Sequence, residues 1–126
     1  VVPVAAATPA PTAPPVVAFS ASHYGSIAVN MGGTIAIAAL DRDSAANSMM
    51  DSINGCNAKA GGNGCTVHVQ FANTADARCG AVAIRRSGRQ NIIGSATAGS
   101  ESDAEARALM KAGTGATILA YGCNTR

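Results

Sequence analysis

An internal repeat constrains the fold of this chain more than any other feature. The segment Tyr24–Val29, YGSIAV, is matched further along by Cys79–Ile84, CGAVAI. In both, a glycine is followed by a small residue, a branched residue, an alanine and a branched residue, with the alternation typical of a strand. Because repeated segments adopt the same local structure, the chain is expected to fold as two similar halves, about 23–74 and 78–124.

Each half continues with a second strand, a helix and a third strand. The second strands are expected at 34–38 and 91–96, and the third at 65–71 and 116–121. Ser and Asp before Ala- and Met-rich runs predict helices over 45–53 and 104–111, which Gly55 and Gly113 would end. The predicted buried faces of the two helices comprise Ala45, Met49 and Ile53, and Ala106, Leu109 and Met110.

This ββαβ order, present twice, predicts an α+β fold. We expect antiparallel sheet with both helices packed on it. The pattern leaves open whether the strands form one continuous sheet or two small ones. One domain, 23–126, would follow a separate N-terminal arm, 1–22.

Composition indicates a thin core that gains from cross-links. Hydrophobic residues make up 48% of the 126 residues but aromatic residues only 3%, and small side chains bury little area each. The four cysteines, Cys56, Cys65, Cys79 and Cys123, contain no Cys-x-x-Cys pair, which argues against a zinc or thioredoxin-like site. An even number of cysteines favours disulfides and an oxidising compartment, with three connectivities possible.

The N-terminal arm holds all five prolines, within residues 1–15. Its backbone is expected to be extended or polyproline II. The chain begins Val1-Val2-Pro3, which we interpret as the start left after removal of a signal peptide. The arm is either a spacer or a segment that docks on a neighbouring subunit as an added strand. The candidate docking residues are Val1, Val2, Val4, Val16 and Val17.

The charged residues suggest a surface rather than a reaction centre. A net charge of +2 is too small to indicate binding to nucleic acid. The chain contains no run of 18 apolar residues, so no membrane span is predicted. Arg85, Arg86 and Arg89 are expected to fill a hairpin connection, either as a solvated turn or as a surface for an anionic partner. His68 is expected to point to the face opposite Val67 and Val69.

We find no catalytic or metal-binding motif in the sequence. The nucleophile elbow, the P-loop, the zinc-protease helix and the dinucleotide fingerprint are absent. Most of the acidic residues stand at helix starts, where capping explains them. We therefore expect no catalytic residue, no metal and no cofactor.

Several segments resemble the bacterial secreted family catalogued as domain of unknown function 4189, found in small exported mycobacterial proteins among others. The resemblance covers about residues 23–124. It rests on five elements: Tyr24–Ala28, Cys56 at the helix end, Cys65–Val67 leading to Phe71, Cys79–Ala83, and Ala120–Asn124. Membership implies an exported protein, and some members look like effectors or immunity-type proteins.

The disulfide pairing that we favour joins Cys56 to Cys65 and Cys79 to Cys123. The first would staple the end of a helix to the next strand, and the second would tie two strands of the second half. The functional hypothesis is a secreted, non-enzymatic interaction protein with a protein partner. The alternative is a structural subunit of an extracellular assembly, a homo-oligomer docked through the N-terminal arm.

Overall fold

The computed structural model describes residues 23–125, which form two halves of the same topology. The first half consists of β1 (Tyr24–Val29), β2 (Ala36–Arg42), α1 (Ala45–Ala60) and β3 (Thr66–Ala72). The second consists of β4 (Cys79–Ser87), β5 (Gln90–Ala98), α2 (Glu101–Ala112) and β6 (Thr117–Cys123). The predicted arm and its candidate docking residues, Val1, Val2, Val4, Val16 and Val17, lie outside the described residues.

Each half forms its own three-stranded antiparallel sheet. The strand order is β2-β1-β3 in the first sheet and β5-β4-β6 in the second, so the repeated segment is the central strand of each. The α+β class and the duplicated ββαβ halves are confirmed. The question that the sequence left open is answered by two small sheets.

The two sheets pack face to face, and each helix covers the outer face of its own sheet. Across the interface β1 lies near β4, β2 near β6, and β3 near β5, which are the contacts that a twofold relation between the halves requires. The Phe71 ring lies in this layer with Ile27 and Val82. A Cβ atom on Gly25 or Gly80 would meet that ring at 2.6 or 2.5 Å, so the glycine of each repeat makes room for one shared aromatic side chain.

Small residues fill the layer between each helix and its sheet. On α1 the buried positions are Ser48, Ser52 and Cys56, and on α2 they are Ala104, Ala108 and Ala112. The predicted helix faces are therefore wrong in part. Ala45 and Ala106 are exposed, and so is Met110, whereas Met49, Ile53 and Leu109 are partly buried. The helices lie too close to the sheets for large side chains, because the backbone of α2 passes directly over Gly94.

The first helix begins as expected but ends later, and α2 begins at Glu101, three residues before the predicted start at 104. The Ser44 and Ser100 side chains accept hydrogen bonds from the backbone N–H groups of Asn47 and Asp103. Gly113 ends α2 as predicted. The prediction that Gly55 ends α1 is wrong, because a glycine inside a helix weakens it without terminating it. The helix continues to Ala60, and Gly61 caps it in the left-handed conformation at φ 75°.

A β-bulge interrupts the third strand of each half, β3 and β6, at the same place. Ile27 and Ala28 pair with Val69 and Val67, so His68 is the extra residue. The expectation that His68 lies opposite both valines is wrong, since a bulge breaks the alternation of side chains. Val67 packs towards α1 and Val69 towards the second sheet. Leu119 occupies the corresponding position in β6.

Candidate functional site

The four cysteines brace the fold, and none is free. The disulfides are Cys56–Cys65 and Cys79–Cys123, the pairing that we favoured. The first joins α1 to the loop before β3, and the second joins the paired ends of β4 and β6. Disulfide sulfurs are not available as nucleophiles or metal ligands without reduction.

The three arginines of the predicted anionic surface are placed differently from one another. Arg85 and Arg86 lie within β4, and only Gly88 and Arg89 form the turn, so the predicted hairpin connection is shorter than expected. The Arg85 Nε donates to the carbonyl of Ala112 at 2.7 Å and so caps the end of α2. Arg86 and Arg89 are exposed at the hairpin, and the Arg86 Nη1 donates to the Asn91 Oδ1 at 2.5 Å.

The end of the molecule where the outer strands finish holds a cluster of polar groups. Asn124 is completely buried, and its Oδ1 accepts from the backbone N–H of Asp41 at 2.8 Å. The Asp41 carboxylate in turn accepts from the backbone N–H and the hydroxyl of Thr125. The His23 Nδ1 lies 3.6 Å from the same carboxylate. These bonds tie the C-terminal strand of the second half to the first half.

The carboxylate and the hydroxyl group of this polar cluster are hydrogen-bonded to each other. The cluster has no nucleophile other than Thr125, whose hydroxyl already donates to Asp41. Between residues 23 and 125, no group of three His, Cys, Asp or Glu residues could hold a metal ion. The arrangement serves to fix the backbone of Asp41, which adopts a left-handed conformation with φ 58°.

Two ionisable groups elsewhere have shifted pKa values. Partial burial lowers the pKa of the His68 imidazole, whose Nε2 lies 3.4 Å from the Thr66 hydroxyl. Desolvation raises the pKa of the Glu105 carboxyl, and the nearby Glu101 carboxylate raises it further. These groups lie in different halves, so they form no acid–base pair.

The second half has an open groove between α2 and β5. Its volume is about 270 Å³, and it is lined by Ala96, Thr97, Arg107, Met110 and Lys111. The Arg107 Nη1 donates to the carbonyl of Thr97 at 3.1 Å. The groove therefore combines an apolar floor with two cations from one side of the helix.

Several large apolar side chains lie on the surface, although the interior is filled largely by small ones. Three of the four methionines are exposed: Met31 at 86%, Met110 at 81% and Met50 at 59%. Tyr121 is also half exposed. An exposed methionine offers a flexible, polarisable surface to a partner.

Sequence reasoning missed the groove. Arg107, Met110 and Lys111 are spaced three and four residues apart, which places them on neighbouring positions of one helix side. That spacing was available in the sequence. The prediction that Met110 belongs to the buried face separates it from the two cations beside it, and it is wrong because Met110 is exposed.

A model of the family described as Domain of unknown function (DUF4189) matches residues 24–123. No curated protein and no solved structure gives a significant match.

Proposed function

Since this chain belongs to the family described as Domain of unknown function (DUF4189), whose description assigns no activity, we propose from its own surface that it is a non-enzymatic protein-binding domain. The partner is a protein, bound through exposed side chains on the helices and loops. No cofactor takes part.

The placement of the methionines carries this proposal. A chain with so few large apolar residues would gain stability by burying them, yet Met31, Met50 and Met110 are exposed on a loop and on both helices. Methionine-rich surfaces adapt to protein partners. The polar groups, by contrast, are engaged in caps, disulfides and the Asn124 cluster, so they contribute to architecture rather than to chemistry.

We further propose that the domain works outside the cytoplasm. Each half contains one disulfide, and oxidising compartments favour such cross-links in small domains. Within the described part of the chain, no helix is long and apolar enough to span a membrane.

Affinity capture with a methionine variant tests the proposal. The full chain and a variant with Met31, Met50 and Met110 changed to Ser are immobilised and exposed to host-cell and cell-envelope extracts. We expect a partner that binds saturably, is competed by the free chain and is lost with the variant. The matched control changes three exposed asparagines, Asn47, Asn54 and Asn63, to Ser and should retain the partner. Equal capture by the methionine variant, or no saturable partner, would contradict the proposal.

The alternative is a subunit of an extracellular assembly. Its support is that each three-stranded sheet has two outer strands, which can accept a further strand from another chain. Deleting residues 1–20 distinguishes the two functions. Sedimentation would show the same species before and after deletion for a binding domain, but loss of oligomers for an assembly subunit.

A further inference from the structure

The two halves treat one equivalent backbone carbonyl differently. Ser26 and Ala81 are equivalent residues of the two central strands, and they pair with Ala39 and Ala96. The next residues along the chain, Leu40 of β2 and Thr97 of β5, are therefore equivalent as well. The carbonyl of Leu40 accepts from the Arg42 Nη1 at 2.6 Å. The carbonyl of Thr97 accepts from an arginine of the helix instead.

In the first half the arginine has its own acid. The Arg42 Nε lies 2.6 Å from the Asp51 carboxylate of α1. Asp51 stands as far after its helix cap, Ser44, as Arg107 stands after Ser100. The second half therefore has a cation at the helix position where the first half has an acid, and this helix–strand groove contains no internal ion pair.

No described carboxylate pairs with the cations of the groove between α2 and β5. Among residues 23–125 the only ion pairs are His23–Asp41 and Arg42–Asp51, so neither Arg107 nor Lys111 has an acid within salt-bridge distance. Arg85 of β4 is engaged instead with the Ala112 carbonyl at the end of α2, so the cations that line the groove are Arg107 and Lys111. Asp103 is the one acid on this side of α2, a turn before Arg107, while Glu101 and Glu105 lie on the opposite side.

We propose that this groove binds an acidic segment of the protein partner, in which an apolar side chain is flanked by Asp or Glu. The inference rests on the proposed protein-binding function and specifies the partner's chemistry. A carboxylate of the partner would pair with Arg107, as Asp51 pairs with Arg42 in the first half. The guanidinium has five donors, so Arg107 can bind a carboxylate and keep its bond to Thr97.

The apolar residue of the segment packs against Met110 and the small floor of the groove. Ala96 is buried at that floor, so the groove is shallow and suits a single side chain. The acidic residues on the far side of α2 repel a like-charged segment there and so favour one position for it.

The test uses the full chain with ¹³C-labelled methionine methyl groups, titrated with short synthetic peptides. The probe peptide carries Glu-Leu-Glu between glycines, and its two controls carry Gln-Leu-Gln and Glu-Gly-Glu. We expect the Met110 methyl resonance to shift saturably with Glu-Leu-Glu, and each control peptide to bind about tenfold more weakly. The Met50 methyl group, exposed on the other helix, serves as the internal reference and should not move.

Charge variants test the two cations. Changing both Arg107 and Lys111 to Gln should weaken binding of the probe peptide at least about tenfold. Lys59 is an exposed lysine on α1, and Lys59→Gln should leave the affinity for the peptide unchanged. Equal shifts at Met50, equal binding of Gln-Leu-Gln, or no effect of the double variant would overturn the inference. So would anionic phosphatidylglycerol vesicles that perturb Met110 when the peptides do not, because the groove would then face a membrane surface.

The outcomes separate this inference from the proposed function. No peptide binding alongside saturable, methionine-dependent capture would remove the groove as the acidic-segment site and leave the protein-binding function. Saturable peptide binding with no captured partner would support the groove's chemistry and contradict the function.

Discussion

Asn124 is the polar residue on which the junction of the two halves depends most. Its side chain is fully buried, accepts from the Asp41 N–H and donates to the His23 carbonyl. Asn124→Ala should lower the free energy of unfolding by about 2 kcal/mol, since it leaves buried backbone groups without partners. Urea denaturation measures the change. The exposed Asn63→Ala is the control, and an equal effect at both positions would contradict this role for Asn124.

Gly94 is the residue at which helix and strand approach most closely. A Cβ atom there would lie 2.5 Å from both the Ala108 carbonyl oxygen and the Ala112 nitrogen, which are backbone atoms and cannot rotate away. Gly94→Ala should therefore lower the free energy of unfolding by about 3 kcal/mol. At Gly62 a Cβ would meet nothing within 4 Å, so Gly62→Ala should change stability by less than about 0.5 kcal/mol. Similar thermal shifts for the two variants would show that the close approach is wrong.

His68 should make stability depend on pH in the mildly acidic range. Partial burial lowers its pKa in the folded state, so below the unfolded value of about 6.5 the unfolded chain binds more protons. Its neutral form is retained at higher pH, and stability falls as pH drops from about 6.5 towards the folded pKa. In His68→Gln the decline should be shallower than in the unchanged protein. Parallel stability–pH curves between pH 5 and pH 7 would contradict the shift.

At the scale of elements, the contact between β1 and α1 contains a buried hydroxyl pair. The Ser26 and Ser52 Oγ atoms lie 2.9 Å apart, and both residues are fully buried. In the second half, Ala81 and Ala108 occupy the corresponding positions on β4 and α2. The second half therefore shows what the contact looks like without hydroxyl groups.

This comparison predicts a strongly non-additive pair of variants. Ser52→Ala alone leaves the Ser26 hydroxyl buried without its partner, and the free energy of unfolding should fall by about 1–3 kcal/mol. The double change of Ser26 and Ser52 to Ala reproduces the contact of the second half. It should lower the free energy of unfolding by less than about 1 kcal/mol. A double-mutant cycle in urea measures the coupling. Additive losses would mean that the hydroxyl groups act independently.

The repeat and the strand alternation were enough to predict the elements but not how closely they pack. The repeated glycines marked both central strands, and Gly113 marked the end of α2. The sequence did not indicate that the sheets lie so close to the helices, so Met110 was assigned to a face that Ala104 and Ala108 occupy. Gly55 likewise lies inside α1, where a Cβ atom would meet Ile37 at 3.2 Å, so this glycine lies at a close contact and not at a helix end.

At the scale of the whole molecule, the candidate site is a difference between two related halves. Arg107 and Asp51 are unremarkable in the sequence, because each is a charged residue on a helix. Only the superposition of the two topologies shows that they occupy the same position and that Arg42 pairs with one of them. Local sequence patterns therefore predicted the two disulfides. The groove was not predicted, because it depends on how residues of α2 and β5 are brought together in the tertiary structure.

Each disulfide lies within one half, Cys56–Cys65 in the first and Cys79–Cys123 in the second. Apart from the connecting segment 73–78, only non-covalent contacts hold the halves together, among them the packing between the sheets and the hydrogen bonds of the Asn124 cluster. Chain-entropy estimates assign about 2.7 kcal/mol to the shorter link and about 4 kcal/mol to the longer one, whose sequence separations are 9 and 44 residues. The double variant of Cys79 and Cys123 to Ala should therefore be less stable than that of Cys56 and Cys65.

The summed contribution of the two disulfides is comparable to the free energy of unfolding of a typical domain, about 5–15 kcal/mol. Reduction of both disulfides should consequently unfold the domain, and the loss of the Phe71 layer between the sheets would unfold both halves together. Circular dichroism and urea titration with and without reductant measure this, with the two double variants as single-link references. A reduced chain that stays folded with an unchanged urea midpoint would show that packing alone holds the thin Ala-rich core, and that the cross-links stabilise the unit less than their loop lengths imply.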